Sequence, residues 1–138
     1  MTPEERVRAS FDKQAFMSTL GARLARVDPG AVDIELPFDE RLTQQHGFIH
    51  AGAVASVVDS ACGYAALTLM DDDAAVLTVE YKINLLAPAE GDLVVAEGRV
   101  VRAGRNLTVC RGDVHAGSRH VATATATLAS VRGPTLSD

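Results

Sequence analysis

Residues 51–70 read AGAVASVVDSACGYAALTLM, a run of 20 positions that carries one charge, Asp59. Val54, Val58, Ala61, Ala65 and Leu69 recur at the spacing of a helical stripe. The opposite face, with Ser56, Gly63, Ala66 and Leu67, has no Lys, Arg or Glu either. A helix without a solvent face is a buried helix, so the rest of the chain must enclose it. A run of this length could also cross a bilayer. Against that, it is built of Ala, Ser and Gly rather than Leu and Ile, and a central Asp costs roughly 2.5 to 3.5 kcal/mol on the insertion scale. The strands read on either side have no place in a helical membrane protein.

On the C-terminal side the period changes to two. Leu77, Val79, Tyr81, Ile83 and Leu85 alternate with Thr78, Glu80, Lys82 and Asn84 up to Ala87-Pro88. Gly91-Asp92 restarts the chain into strands over 93–102, 106–115 and 120–131, separated by Ala103-Gly104 and Ala116-Gly117-Ser118. Short turns between long strands predict an antiparallel meander of all four. The tail after Arg132 reads as frayed.

On the N-terminal side, Thr2, Pro3, Glu4 and Glu5 make a helix start, with a cap, a first-turn proline and acids at the positive dipole end. Val7, Phe11, Phe16 and Leu20 give this helix a broken apolar stripe that ends at Gly21. Residues 22–27 and 32–38 alternate around the turn signal Asp28-Pro29-Gly30, which makes a hairpin. The predicted order is helix, hairpin, buried helix and four strands. This is an α+β fold in which one antiparallel sheet wraps one central helix, a single domain over residues 1–138.

At 138 residues and 47% hydrophobic composition the chain can bury a core without disulfides or metal. With 4% aromatics and no Trp, Val, Leu, Ile and Ala must build it. A net charge of −5 argues against a nucleic-acid surface. Cys62 and Cys110 lie in apolar runs without ligand spacing, which suits packed thiols in a reducing compartment. No secretory signal is visible, so a cytoplasmic protein is expected, with no membrane partner. The four histidines lack metal-ligand spacing, and neither a metal nor another cofactor is expected.

Asp59 is the first candidate for chemistry. A lone carboxylate inside a small and apolar helix is costly to ionise, and desolvation raises its pKa toward the range of a general base. The competing reading is a structural carboxylate that pairs with an Arg, caps a neighbouring element or faces solvent. The helix start at His50-Ala51-Gly52 is the second, because the first N–H groups of a helix have no intrahelical partner and can face an oxyanion. The loop over 39–50, rich in hydrogen-bonding groups, leads into it. His46 and His50 read as residues that hold this loop by hydrogen bonding. His115, His120 and Asp71-Asp72-Asp73 read as solvated.

The segment Gln44-Gln45-His46-Gly47-Phe48-Ile49-His50-Ala51-Gly52, followed by Asp59, resembles the signature of hotdog-fold acyl-CoA thioesterases. It is most similar to the branch typified by phenylacetic-acid-pathway proteins. That branch reads Asn-x-x-Gly-x-x-His-Gly-Gly with an acid nine positions after the His, which is the spacing from His50 to Asp59. The similarity extends to Leu36-Pro37, to the corner Ala87-Pro88-Ala89-x-Gly91-Asp92 and to the Gly104-Arg105 turn.

The resemblance implies a hotdog fold, an acyl-CoA substrate and self-association to a dimer or tetramer with sites between subunits. It implies that Asp59 activates water or attacks the thioester, and that the Ala51 N–H polarises the carbonyl. Gln44, from the other subunit, would place the thioester or the water, and Thr78 would orient the water. Arg102, Gly104, Arg105 and Asn106 would lie near the coenzyme A phosphates. His50 and Gly52 at the helix start, with Ser56 and Gly63 on its small-residue face, are the expected substrate contacts. Two positions depart from the pattern: Ala stands for Gly at 51 and Gln for Asn at 44. The rivals are a non-catalytic acyl-CoA binding module, and a hotdog dehydratase or hydratase whose His–acid motif is not found.

Overall fold

The computed structural model describes residues 1–133 and 136, so most of the expected frayed tail lies outside the described residues. The N-terminal signals form the predicted start. Thr2 accepts from the Glu5 N–H at 3.1 Å, and the Glu5 carboxylate accepts from the Thr2 N–H at 3.0 Å, a reciprocal capping box. The helix does not run on to Gly21. It stops as α1 (Pro3–Lys13), breaks at Gln14, and resumes as α2 (Ala15–Leu20). Gly21 then closes α2 with a positive φ of 76°.

The hairpin is as read: β1 (Arg23–Asp28) pairs antiparallel with β2 (Ala31–Pro37). A short 3₁₀ turn (Glu40–Leu42) leads through the polar loop into α3 (Ala51–Leu67). The remaining strands are β3 (Ala75–Leu85), β4 (Leu93–Ala103), β5 (Leu107–Ala116) and β6 (Arg119–Val131).

Their order in the sheet is β1-β2-β4-β5-β6-β3, all antiparallel. The meander therefore holds for β4, β5 and β6 only. β2 occupies the edge of β4 that β3 would need, so β3 crosses over and pairs with β6. That leaves β3 as an edge strand, with a bulge between Thr78 and Glu80.

The sheet wraps α3, the hotdog arrangement. Val32, Ile34 and Leu36 of β2, Val94 and Ala96 of β4, Val114 of β5 and Leu128 of β6 are buried against it. Contact is closest at Gly98 and Gly112, which face one another across β4 and β5. A Cβ on Gly98 would overlap the Ala61 carbonyl, and one on Gly112 would overlap the Val58 side chain. Gly98 lets the helix backbone rest on the sheet, and Gly112 makes room for the Val58 and Cys62 side chains.

The C-terminal end of α3 is closed by Arg6 from α1. The buried guanidinium donates to the carbonyls of Asp71 at 2.6 Å and Met70 at 2.9 Å, and also to that of Leu67. Cys62 and Cys110 are free, buried thiols, and burial pushes Cys110 up to about 12. Among the described residues no helix is long and apolar enough to cross a membrane.

Candidate active site

Two clefts border α3, one at its N-terminus and one at its middle. The first, of ≈ 570 Å³, is open and mostly apolar, with Phe48, Val54, Leu85 and Leu86 beside Gln44, His50 and Ala51. The second, of ≈ 190 Å³, holds Asp59 and Thr78, with Gln14, Ser60, Gly63, Tyr64, Val76 and Leu77.

At the helix start the donors are nearly all committed. The His50 ring accepts from the Gly52 N–H at 2.7 Å, which makes His50 the N-cap. The His50 carbonyl accepts from Ala53 at 3.0 Å and Val54 at 3.2 Å. Of the first-turn N–H groups, Ala51's alone has no acceptor among the described residues, and Ala51 is exposed at the cleft. The dipole of a 17-residue helix adds partial positive charge at that point.

The loop before it is folded by Gln44. Its side-chain oxygen accepts from the backbone N–H groups of His46 at 2.6 Å and Phe48 at 3.2 Å, around Gly47 with φ of 87°. That oxygen is occupied, so the amide N–H₂ is the part of the side chain left to donate. The Ile49 N–H donates to the Ala89 carbonyl at 2.9 Å and the His50 N–H to that of Leu42 at 2.8 Å, which pins the loop. His50 thus holds the loop through its ring, whereas His46 does so only through its backbone.

Asp59 is half-buried. Burial raises its pKa above the ordinary carboxylate range, and a hydrogen bond donated by Thr78 Oγ1 to Oδ1 at 2.7 Å works against that shift. The β3 bulge begins at Thr78, where the strand passes α3. No cation lies against the carboxylate to force it into the charged state: among the described residues it forms no ion pair. This is a carboxylate that can take and release a proton nearer neutrality than a surface aspartate.

The other expected contacts divide. Gly63 borders the Asp59 cleft, and a Cβ there would meet nothing within 4 Å. Ser56 is turned back, its hydroxyl donating to the Gly52 carbonyl at 2.6 Å. Ala66 is fully buried, so of the small-residue face only Gly63 opens on a cleft. Arg102 lies at the end of β4, Gly104, Arg105 and Asn106 form the β4–β5 turn, and Gly104 and Arg105 sit beside Leu69, Met70 and Asp71, past the C-terminal end of α3. The Ser130 N–H donates to the Asn106 carbonyl at 2.8 Å and ties that turn to β6. Arg102 and Arg105 form no ion pair among the described residues.

The sequence-named residues therefore occupy three separate places on one chain. Ala51 and Asp59 lie eight residues apart on one rigid helix, about 12 Å along its axis. Three polar lining residues of the Asp59 cleft escaped the sequence reading. Ser60 and Tyr64 stand one and five positions after Asp59, four apart from each other, a spacing that puts them on one helix face together but not on the face of Asp59. Gln14 has no local signal at all. Nor do any three His, Cys, Asp or Glu side chains among the described residues cluster as metal ligands would. His115 and His120 are not merely solvated: their rings stack at 4.8 Å, with Glu97 and Asp113 beside them.

Comparison with known proteins agrees with this geometry. The thioesterase superfamily model matches residues 46–123, which contain both the helix start and Asp59. A thioesterase family protein from Silicibacter pomeroyi is 51% identical, with a TM-score of 0.93 over 95% of this chain and 99% of that one. A Halobacterium salinarum protein that carries an esterase description is 30% identical, over 78% of this chain and 74% of its own length. The 1,4-dihydroxy-2-naphthoyl-CoA hydrolase of Listeria monocytogenes is 25% identical over 66% of this chain and 74% of its own. The family model covers the end of the loop, the helix start and the carboxylate together, and on that match and the esterase-described relative the chain belongs to the thioesterase superfamily.

Proposed function

We propose that the protein hydrolyses an acyl-CoA thioester to a free carboxylic acid and coenzyme A, at sites built by two copies of the chain. The observation that carries this is the separation of two half-sites on one helix. A carbonyl oxygen bound at the Ala51 N–H lies about 12 Å from Asp59 of the same chain, too far for one thioester to use both. A second copy can bring its Asp59 to the first copy's Ala51. The β3 edge supports such a pairing. It is 11 residues long, free of proline, and leaves Leu77, Val79, Tyr81 and Leu85 about half exposed. An unpaired apolar edge of that length is an aggregation hazard unless another strand covers it. Antiparallel pairing of β3 with a second β3 is self-complementary about a two-fold axis. A dimer is the unit this requires, and a tetramer is compatible with it.

In the reaction, the Ala51 N–H polarises the thioester carbonyl and holds the oxyanion as the tetrahedral intermediate forms. Asp59 removes a proton from water as the oxygen attacks, or attacks directly to give a mixed anhydride that water then cleaves. In both routes the C–S bond breaks and the sulfur leaves as thiolate, to be protonated. Thr78 positions the carboxylate, and the Gln44 amide N–H₂ is placed to donate to the thioester or the water. Arg102 and Arg105, unpaired on their turn, suit the coenzyme A phosphates. Buried free Cys62 and Cys110 are at home in a reducing cytoplasm.

The test is thiol release from a panel of aryl and aliphatic acyl-CoAs, with wild type and Asp59→Ala side by side. The expected result is turnover on at least one substrate, lowered about 10³-fold or more in a variant that keeps its fold and oligomeric state. Binding of the acyl-CoAs by the wild type without thiol release would instead make this a binding module. Labelled solvent oxygen found in Asp59 after one turnover would select the anhydride route.

A further inference from the structure

A helix stops at Gln14 without a local reason. The segment Phe11-Asp12-Lys13-Gln14-Ala15-Phe16 contains neither Gly nor Pro, and Lys, Gln and Ala are good helix formers. The backbone nevertheless leaves the helical region there, at φ −81° and ψ 95°, and α2 starts afresh with no side-chain cap. Such a break forfeits helical hydrogen bonds, so something else must offset it.

The compensation comes from α3. Gln14 Nε2 donates to the Tyr64 hydroxyl at 2.8 Å, and the Ser60 hydroxyl donates to Gln14 Oε1 at 3.1 Å. The Ser10 hydroxyl lies 3.2 Å from the same phenol oxygen, and the Phe11 ring packs on the Tyr64 ring at 6.0 Å. Helix α1 is thereby docked on α3, and the amide is held at both of its ends. It is held in the wall of the cleft that contains Asp59.

That cleft has two kinds of wall. Val76 and Leu77 supply apolar surface, and Gln14, Ser60 and Tyr64 supply polar atoms, with open space over Gly63 between. At ≈ 190 Å³ it is much the smaller of the two clefts, so it suits the acyl limb and leaves the larger cleft, from the other copy, to the pantetheine arm. A purely hydrocarbon acyl end pushed against the amide would desolvate it and offer nothing in return.

We propose that Gln14 is a specificity-determining residue, whose clamped amide forms the polar end of the acyl cleft and selects acyl groups with an apolar body and a hydrogen-bonding tip. This rests on the thioesterase reading above. The break also turns Met17 and Leu20 into the core, a purely structural role that would leave substrate preference untouched.

The experiment compares kcat/KM within two matched pairs: hexanoyl-CoA with 6-hydroxyhexanoyl-CoA, and benzoyl-CoA with 4-hydroxybenzoyl-CoA. Wild type, Gln14→Leu, Gln14→Asn and Ser60→Ala are measured. The wild type is expected to favour the hydroxylated member of at least one pair. Gln14→Leu should reduce that preference about tenfold, roughly the worth of one hydrogen bond. Ser60→Ala, which frees one end of the amide, should shift it less and in the same direction. If Gln14→Leu does not fold, Gln14→Asn, shorter by one methylene, must still move the ratio. An unchanged ratio in the folded variants, or no preference in the wild type, overturns the assignment of Gln14 and leaves the thioesterase reading standing. Absence of thiol release from every acyl-CoA overturns both.

Discussion

The two halves of α3 are made of the same small and apolar residues but serve opposite ends. From Ala61 onward the helix is sunk into the sheet. Its backbone rests on Gly98 at Ala61, and the carbonyls at and just past its end are closed by Arg6. Thr68 adds to the seal, its hydroxyl donating to the Ala65 carbonyl at 2.6 Å and accepting from the Gly30 N–H at 2.8 Å. From Ala51 to Ser60 the same helix borders two clefts, keeps an N–H without an acceptor, and holds a carboxylate at a raised pKa. One half spends its polar groups on stability, and the other keeps them available. A single rod allows both because its far half anchors it.

The largest effect expected to break this contrast is at Ala51. Proline at the first helical position costs a helix little, and His50, at φ −59° and ψ 140°, already has the conformation a residue before proline prefers. Ala51→Pro removes the N–H alone. Turnover should fall about 10² to 10³-fold with the melting temperature nearly unchanged. Unaltered kcat would mean that the open N-terminus has no part in the chemistry.

On the buried half the expected effects are on stability. Gly98→Ala forces a methyl group into the Ala61 carbonyl and should cost about 3 kcal/mol, read from urea unfolding. Arg6→Met keeps the bulk and removes the donors from three carbonyls, for a loss of about 2 kcal/mol. Part of that loss is recovered because Arg6 Nε, buried and without a partner among the described residues, goes with it. Specific activity per folded molecule should stay within a few-fold in both variants. A selective loss of activity would show that the halves are coupled.

The smallest effect sharpens the picture of Asp59. Its hydrogen bond from Thr78 favours the charged carboxylate, so Thr78→Val should raise the Asp59 pKa further. Activity that needs the carboxylate is lost as pH falls through that pKa. The acid limb of kcat/KM against pH should therefore move to higher pH in the variant. A limb that moves down, or stays, would place the essential base elsewhere.

What was legible in the sequence follows from period. The run at 51–70 with its single charge, the hairpin at Asp28-Pro29-Gly30 and the strands after residue 74 were all readable, because each element buries residues at its own repeat. Asp59 was readable too, as one charge where none should be. The family resemblance added the expected roles of Ala51, Gln44 and Thr78. The place of β3 in the sheet was not readable, because the alternation of a strand names its faces and not its neighbours. The break at Gln14 was hidden for the opposite reason: the local residues favour a continuous helix, and what interrupts it lies 46 and 50 positions away. Gly98 and Gly112 gave no sign of a close approach until the helix lay on them.

The sequence by itself determined that a helix is buried along most of its length, that a sheet must surround it and that a solitary carboxylate sits on it. Each is a property of residues within a turn or two of one another. Only the tertiary structure decided which strand is left at the edge and which residues share the cleft with Asp59. Those are distances between elements, set by how side chains far apart in the chain pack and hydrogen-bond.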